Sequence, residues 1–192
     1  MALKWYQDPE WSNLILEQAA EDTLAKTRMY NADADVWRLL KPFDLGMATI
    51  PVGGAVNYQY WNVVAIPAAT PTVVIAYRMP AGIGITLMGL WCTGVGDLGQ
   101  GAVYIVRVNN VDRCEIPLRH HIPGKGGAFG FDTNGLYGDW AVRIIALEQF
   151  VFLRQNDQVQ HIFFTKHGFS GQLEWFPIAV VAGNRKQLLV AE

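Results

Sequence analysis

The sequence predicts a mainly β protein: a single β-sandwich or jelly roll of about 8–10 antiparallel strands, preceded by an N-terminal helical arm. Three observations support this fold class. The charge density drops after residue 48, since residues 1–48 hold 13 of the 32 Asp, Glu, Lys and Arg residues. From about residue 55, short apolar runs alternate with Gly, Pro, Asn and Asp turns. Beyond residue 48 we find no helix-like periodicity.

These observations divide the chain into a helical arm (1–48) and a β-sandwich domain (49–192). A length of 192 residues suits one sandwich core. The β part is roughly 13% charged, about half the usual value for a soluble domain. A surface so short of charge indicates a subunit of an assembly.

The arm begins with a clear helix signal. Asp8 suits an N-cap and Pro9 the first helical position, and the pattern continues to about Lys26. Apolar residues recur every fourth position and form a stripe that must be covered. The expected protein-contact residues are Trp5, Trp11, Ile15, Leu16, Leu24, Trp37 and Leu40.

A second, shorter helical turn is predicted from Asp33 as its cap to Leu40, ending before Pro42. The residues alone leave open whether the arm packs on its own β-domain or reaches over a neighbouring subunit. Buried aromatic side chains contribute about equally in both cases.

The β part contains a series of predicted strands. They are Ala55–Val64, Thr72–Met79, Ile85–Thr93, Ala102–Val108, Arg113–Leu118, Ala128–Phe131, Trp140–Ala146, Glu148–Gln155, Gln158–Lys166, Leu173–Val181 and Lys186–Val190. Hairpin turns are predicted at Asn156-Asp157 and at 182–185.

Two of these strands are apolar on both faces, namely Ile85–Cys92 and Ala102–Val108. A strand with one face in water alternates apolar and polar residues. Their outer faces are therefore expected to be covered by the arm or by other subunits.

Several partners and locations are disfavoured by composition. The net charge is −2 and the pI near 6.1, so no basic footprint for nucleic acid exists. No apolar run approaches the roughly 20 residues that span a bilayer, and Met1–Tyr6 does not resemble a secretory signal. Cys92 and Cys114 lie in apolar runs, and their pairing stays open. We expect no nucleic acid, no membrane, and a protein kept in the cytoplasm or in a particle assembled there.

No catalytic, metal or cofactor site is predicted. His120 and His121 are adjacent in a glycine-rich loop, without the His-x-His spacing of cupin-type metal sites. The glycines around Lys125 lack the Lys-Ser/Thr and following helix of a phosphate loop. Ser12 and Ser170 are the only serines, and neither occurs in a nucleophile motif. Spacing selects no pair among the carboxylates.

Sugar binding is the main alternative chemistry. β-Sandwiches often bind glycans on flat aromatic side chains, and the candidates are Trp61, Trp91, Trp140, Trp175 and Tyr137. A core or interface role for these residues is favoured over sugar binding.

Four segments carry a family resemblance. The run Val74–Gly82, followed by Gly89-Leu90-Trp91 and Val106–Asn109, resembles the β-domain of tailed-bacteriophage capsid decoration (cement) proteins, as does Gln149–Asp157. The resemblance implies a non-enzymatic virion protein, often a homotrimer, that binds between major capsid subunits and grips neighbours with its arm.

Two alternatives stay open beside it. One is a phage tail or receptor-binding protein with a glycan-binding β-sandwich. The other is a bacterial carbohydrate-binding β-sandwich module or enzyme, which should be monomeric.

Overall fold

A computed structural model describes residues 9–41, 51–52, 55–56, 61–95, 102–117 and 143–188 of the chain. Over these residues the fold is one helix and eleven strands. Their bounds are α1 Pro9–Arg28, β1 Val36–Leu39, β2 Pro51–Val52, β3 Ala55–Val56, β4 Trp61–Ile66, β5 Thr72–Arg78, β6 Gly84–Val95, β7 Val103–Val108, β8 Val111–Pro117, β9 Arg143–Leu153, β10 Gln158–Phe164 and β11 Phe169–Gly183.

The strands form two antiparallel sheets and one short ribbon. The first sheet has the order β1-β11-β6-β9, with β4 also paired to β11, and the second has the order β5-β10-β7-β8. β2 and β3 pair only with each other among the described strands. All pairings are antiparallel.

The pairing is nested about the β7–β8 turn. β7 pairs with β8, β6 with β9, β5 with β10 and β4 with β11. The chain is thus a long antiparallel hairpin of four strand pairs, rolled so that β11 also meets β6 and β10 meets β7. Eight strands in this arrangement make a jelly roll. The predicted mainly β sandwich is confirmed.

The turn at the centre of the roll has the geometry its sequence demands. Asn109 and Asn110 both have positive φ, at 50° and 64°. They connect β7 to β8 as a two-residue turn. Both positions of such a turn require positive φ, and asparagine is favoured there because it tolerates the left-handed region.

The main core lies between the two sheets. Ile85, Leu87 and Leu153 of the first sheet meet Tyr104 and its neighbours of the second. Other buried members of this cluster are Met79, Val106, Val108, Val151, Val159, Phe163, Ala179 and Val181. Both sheets present an apolar inner face, which is the arrangement expected for a sandwich.

Helix α1 covers the outer face of the first sheet. Ala19 and Ala20 pack on Met88 and Val180 in a second buried cluster, separate from the main core. Below them, the hydroxyls of Thr23 and Thr86 are 2.6 Å apart. This packing explains why β6 is apolar on both faces: one face belongs to the core and the other lies under the helix.

The close approach of helix α1 to strand β6 depends on Gly84. A Cβ at this position would overlap the Thr27 hydroxyl and lie 2.7 Å from the Tyr30 hydroxyl. The helix end is held nearby, because the Asn31 amide donates to the Gly82 carbonyl at 2.7 Å. Gly82 itself has φ of 75°, which only glycine adopts easily.

The predicted helical turn from Asp33 to Leu40 is wrong. Val36–Leu39 is instead the edge strand β1, paired with Val180–Gly183 of β11. The Asp33 cap and the Pro42 stop satisfied local helix rules, but the free edge of β11 offered a ladder of backbone hydrogen bonds that four isolated helical residues could not match.

Two predicted hairpins are also wrong. Asn156-Asp157 is a turn, with Asn156 at a φ of 68°, but β9 and β10 lie in different sheets, so the turn crosses the sandwich. At the C-terminus, β11 ends at Gly183 and residues 185–188 form a turn where the strand Lys186–Val190 was predicted. The described parts of the predicted strands Trp140–Ala146 and Glu148–Gln155 fall in one strand, β9 (Arg143–Leu153), whose pairing to β6 contains an irregularity. The predicted strand Ala128–Phe131 lies outside the described residues.

We predict that Gly84→Ala destabilises the protein by about 2 kcal/mol, a typical cost of overpacking a tight interface. The added methyl group must displace Thr27 and Tyr30, and therefore the C-terminal turns of α1. Urea unfolding followed by circular dichroism measures the change in free energy.

Gly183→Ala is the matched control. Gly183 is also a buried strand glycine, but a Cβ there meets its nearest neighbours at 3.5 Å, an ordinary contact distance. A change within about 1 kcal/mol is expected. Equal losses for both substitutions would contradict the close helix packing.

Candidate functional site

Part of the apolar stripe of α1 packs against the protein's own sheet. Ile15 and Leu16, both predicted contact residues, are half-buried against the cluster formed by Met88 and Val180. Leu24 is half-buried on the same helix. Trp5 lies outside the described residues, and so does the side chain of Trp11.

Leu40 and Trp37, the two remaining predicted contact residues, have opposite environments. Leu40 is buried in the main core, and its backbone N–H donates to the Ala179 carbonyl at 2.9 Å. Trp37 is 38% exposed on the edge strand β1. Residues 36–40 thus belong to the sandwich itself, while the division at residue 48 stays a prediction.

An exposed apolar edge follows from the conformation of β1. Trp37 and Leu39 are two residues apart on one strand, so they share its outer face, and Leu39 is 51% exposed. The helical interpretation missed Leu39 because residues two apart lie on opposite sides of a helix. We call Trp37 and Leu39 the β1 edge patch.

The predicted sugar-binding aromatics are only partly described. Trp61 pairs with Trp175 in the β4–β11 ladder, and Trp91 pairs with Phe176 in the β6–β11 ladder. Their backbones therefore lie on neighbouring strands of the first sheet. Trp140 and Tyr137 lie outside the described residues. Sequence reasoning missed a different surface, one that combines aromatic and charged groups, because no local motif marks it.

That surface is a cleft of about 640 Å³ at the side of the sandwich. Three elements form it: the end of α1, strand β9 with the turn after it, and the β7–β8 hairpin. Its lining residues are Lys26, Met29, Tyr30, Val108, Asn109, Arg113, Gln149, Phe150, Val151, Phe152, Arg154 and Asp157. We call it the α1–β9 cleft.

Asp157 lines this cleft and forms hydrogen bonds that connect the segments around it. Its carboxylate accepts hydrogen bonds from the Asn109 side-chain amide at 2.8 Å and from the Arg154 backbone N–H at 2.9 Å. Asn109 in turn accepts from the Gln158 backbone N–H at 2.9 Å. These bonds fix the β7–β8 hairpin against the β9–β10 crossover. The side-chain guanidinium of Arg154 lies 3.7 Å from the same carboxylate.

The cleft walls combine cations with aromatic rings. Lys26 places its ammonium 5.5 Å from the centre of the Phe152 ring, a cation–π contact. Phe150 is half-buried beside it, on the segment where the β6–β9 register shifts. Such irregularities redirect side chains and are frequent beside binding sites.

A second polar cluster is buried in the core. His161 lies between two tyrosines, with Tyr77 Oη 3.0 Å from Nε2 and Tyr104 Oη 2.5 Å from Nδ1. A neutral imidazole has one donor and one acceptor nitrogen, so one tyrosine donates and the other accepts. Burial lowers the pKa of His161 to about 3 and raises the pKa values of both tyrosines. His161 and Tyr104 are both fully buried.

Metal and membrane signatures are not found in the parts of the chain that the structure describes. No group of three His, Cys, Asp or Glu side chains there could hold a metal ion. No described helix is long and apolar enough to cross a bilayer. His120 and His121 lie outside the described residues.

Comparison with known proteins gave no matching family model, no similar curated protein and no similar solved structure.

The His161 cluster predicts loss of stability in acid. The unfolded chain binds a proton near pH 6.5, whereas folded His161 does so only near pH 3. The contribution of His161 to stability is therefore full above pH 6.5 and falls as the pH drops toward 3, by up to about 1.4 kcal/mol per pH unit and on the order of 5 kcal/mol in total. Urea unfolding at a series of pH values measures this slope.

His161→Gln tests the assignment, since an amide can still donate and accept but does not titrate. Below pH 6.5, the unfolding free energy of His161→Gln should fall less steeply with decreasing pH than that of the wild type. The difference should be up to about 1.4 kcal/mol per pH unit, which corresponds to one proton. His167→Gln is the control, because His167 is exposed. An unchanged slope in His161→Gln would disprove the contribution of His161.

Proposed function

We propose that this protein is a non-enzymatic structural subunit of a virion, of the capsid decoration (cement) type. In this role it stabilises the shell by binding between major capsid subunits and is assembled in the host cytoplasm. The observation that carries the proposal is the β1 edge patch, an exposed apolar strand edge on a jelly-roll domain. Jelly rolls are the architecture of many viral capsid domains.

The β1 edge supports association for two physical reasons. Among the described strands, β1 pairs with β11 alone and lies at the edge of the first sheet, and edge strands are the ones that pair with other chains. Trp37 and Leu39 add apolar surface to that edge. Tryptophan is among the residues that contribute most to protein interfaces.

The edge is also held rigidly, which lowers the entropy cost of association. Arg38 donates from Nε to the Leu188 carbonyl at 2.9 Å, tying β1 to the C-terminal turn. Asp35 accepts from the Arg185 backbone N–H at 2.9 Å. A preformed edge of this kind suits a subunit that docks on a neighbour.

The packing of α1 changes which residues we propose as the contact with neighbouring subunits. Ile15 and Leu16 contact the protein's own sheet, so the proposed contact moves to the β1 edge patch. Deleting residues 1–48 would also remove β1 and the buried Leu40, and would damage the sandwich itself. Point substitutions at exposed positions are therefore the sharper experiment.

We predict that the full chain self-associates, with a trimer favoured, and that Trp37→Thr with Leu39→Thr shifts it toward the monomer. Threonine keeps the strand preference while removing the apolar surface. Light scattering coupled to size exclusion, over a range of protein concentrations, measures the mass.

Val73→Thr with Val111→Thr is the matched control. These residues are 45% and 50% exposed and lie on β5 and β8 of the second sheet. The control should associate like the wild type. A wild-type chain that stays monomeric at all concentrations, or equal loss of association in both variants, would count against the proposal.

A further inference from the structure

The α1–β9 cleft is a positive region on a weakly acidic protein. Lys26, Arg113 and Arg154 line it, and Asp157 is the one carboxylate among the described residues that line it. These groups sum to +2 (three cations minus one carboxylate), whereas the chain as a whole is −2. The charge therefore favours an anionic occupant.

The carboxylate of Asp157 offsets only part of this positive charge. It is buried, accepts hydrogen bonds from the Asn109 side-chain amide and the Arg154 backbone N–H, and lies 3.7 Å from the Arg154 guanidinium. Its role is to hold the hairpin in place. Arg113 and Arg154 are exposed, and a guanidinium can form two parallel hydrogen bonds to a carboxylate or phosphate.

The uncharged residues of the cleft can contact the ring of a small molecule. Phe150 and Phe152 are half-buried, and Gln149 is exposed beside them on the same strand. Aromatic faces pack against the apolar face of a sugar ring, and amides hydrogen-bond its hydroxyls. The volume of about 640 Å³ lies within the roughly 300–1,000 Å³ range of small-ligand sites.

We propose that the α1–β9 cleft binds an anionic sugar, with its carboxylate or phosphate held by Arg113, Arg154 and Lys26 and its ring against Phe150. Of the aromatic residues singled out in the sequence, Trp61, Trp91 and Trp175 lie on β4, β6 and β11 and do not line this cleft. The inference does not depend on the virion proposal, because a cleft of this kind can be filled in any oligomeric state.

The test compares three ligands that share one ring. Glucuronic acid, glucose 6-phosphate and glucose are titrated into the full chain, and backbone amide shifts are followed by NMR. At least one anionic sugar should bind with a Kd of about 1 mM or tighter, at least tenfold tighter than glucose. Shifts should concentrate at 149–154 and 109–113. The two anions distinguish a carboxylated from a phosphorylated ligand.

Arginine substitutions test which side chains contact the bound anion. Arg113→Gln and Arg154→Gln should each weaken binding of the preferred anion by about tenfold, as expected for a lost charge-assisted hydrogen bond. Arg185→Gln is the control, because Arg185 is also an exposed arginine but pairs with Asp35, away from the lining residues. It should leave the Kd unchanged.

Several results would overturn the proposal. Failure of both anions to bind at about 10 mM, or glucose binding as tightly as the anions, would exclude anion recognition at this cleft. Inorganic phosphate binding as tightly as glucose 6-phosphate would exclude the sugar ring as part of the ligand. Equal weakening by Arg185→Gln would show a nonspecific effect of net charge.

Discussion

The contact between helix α1 and the outer face of the first sheet determines most other features of the molecule. Small side chains make it possible: Ala19, Ala20, Thr23 and Thr27 on the helix meet a strand that carries glycine at position 84. The Thr23–Thr86 hydroxyl contact satisfies polar groups that burial would otherwise leave costly. An apolar sheet face needs cover, and here the same chain supplies it.

Two surfaces follow from this contact. The helix ends next to strand β9, which places Lys26, Met29 and Tyr30 opposite the β7–β8 hairpin and creates the cleft. The chain then turns back through Asn31 and enters the first sheet as its edge strand β1, with Trp37 and Leu39 outward. A cleft and an apolar edge thus lie at the two sides of one sheet, because β9 and β1 are its opposite edges. The proposed ligand and the proposed neighbour therefore need not compete.

Local patterns predicted the elements better than their partners. The cap at Asp8-Pro9 and the apolar period anticipated α1, and the turn residues anticipated most strands of the roll. The errors were non-local: the choice of strand over helix for Val36–Leu39 depends on pairing with β11, far along the chain. The turn at Asn156 has the expected backbone, yet its strands join different sheets. The cleft could not be found from spacing, because Lys26, Arg113 and Arg154 come from three distant segments.

The most direct measurement is a disulfide trap between α1 and β6. Thr23→Cys and Thr86→Cys replace hydroxyls that are 2.6 Å apart, a separation that allows a short cross-link. Oxidation followed by peptide mapping in a mass spectrometer shows which chains are joined. An intramolecular link in protein that runs as a monomer on a non-reducing gel is the predicted result. A predominantly intermolecular link between positions 23 and 86, or no link at all, would contradict the docking of the helix on its own sheet.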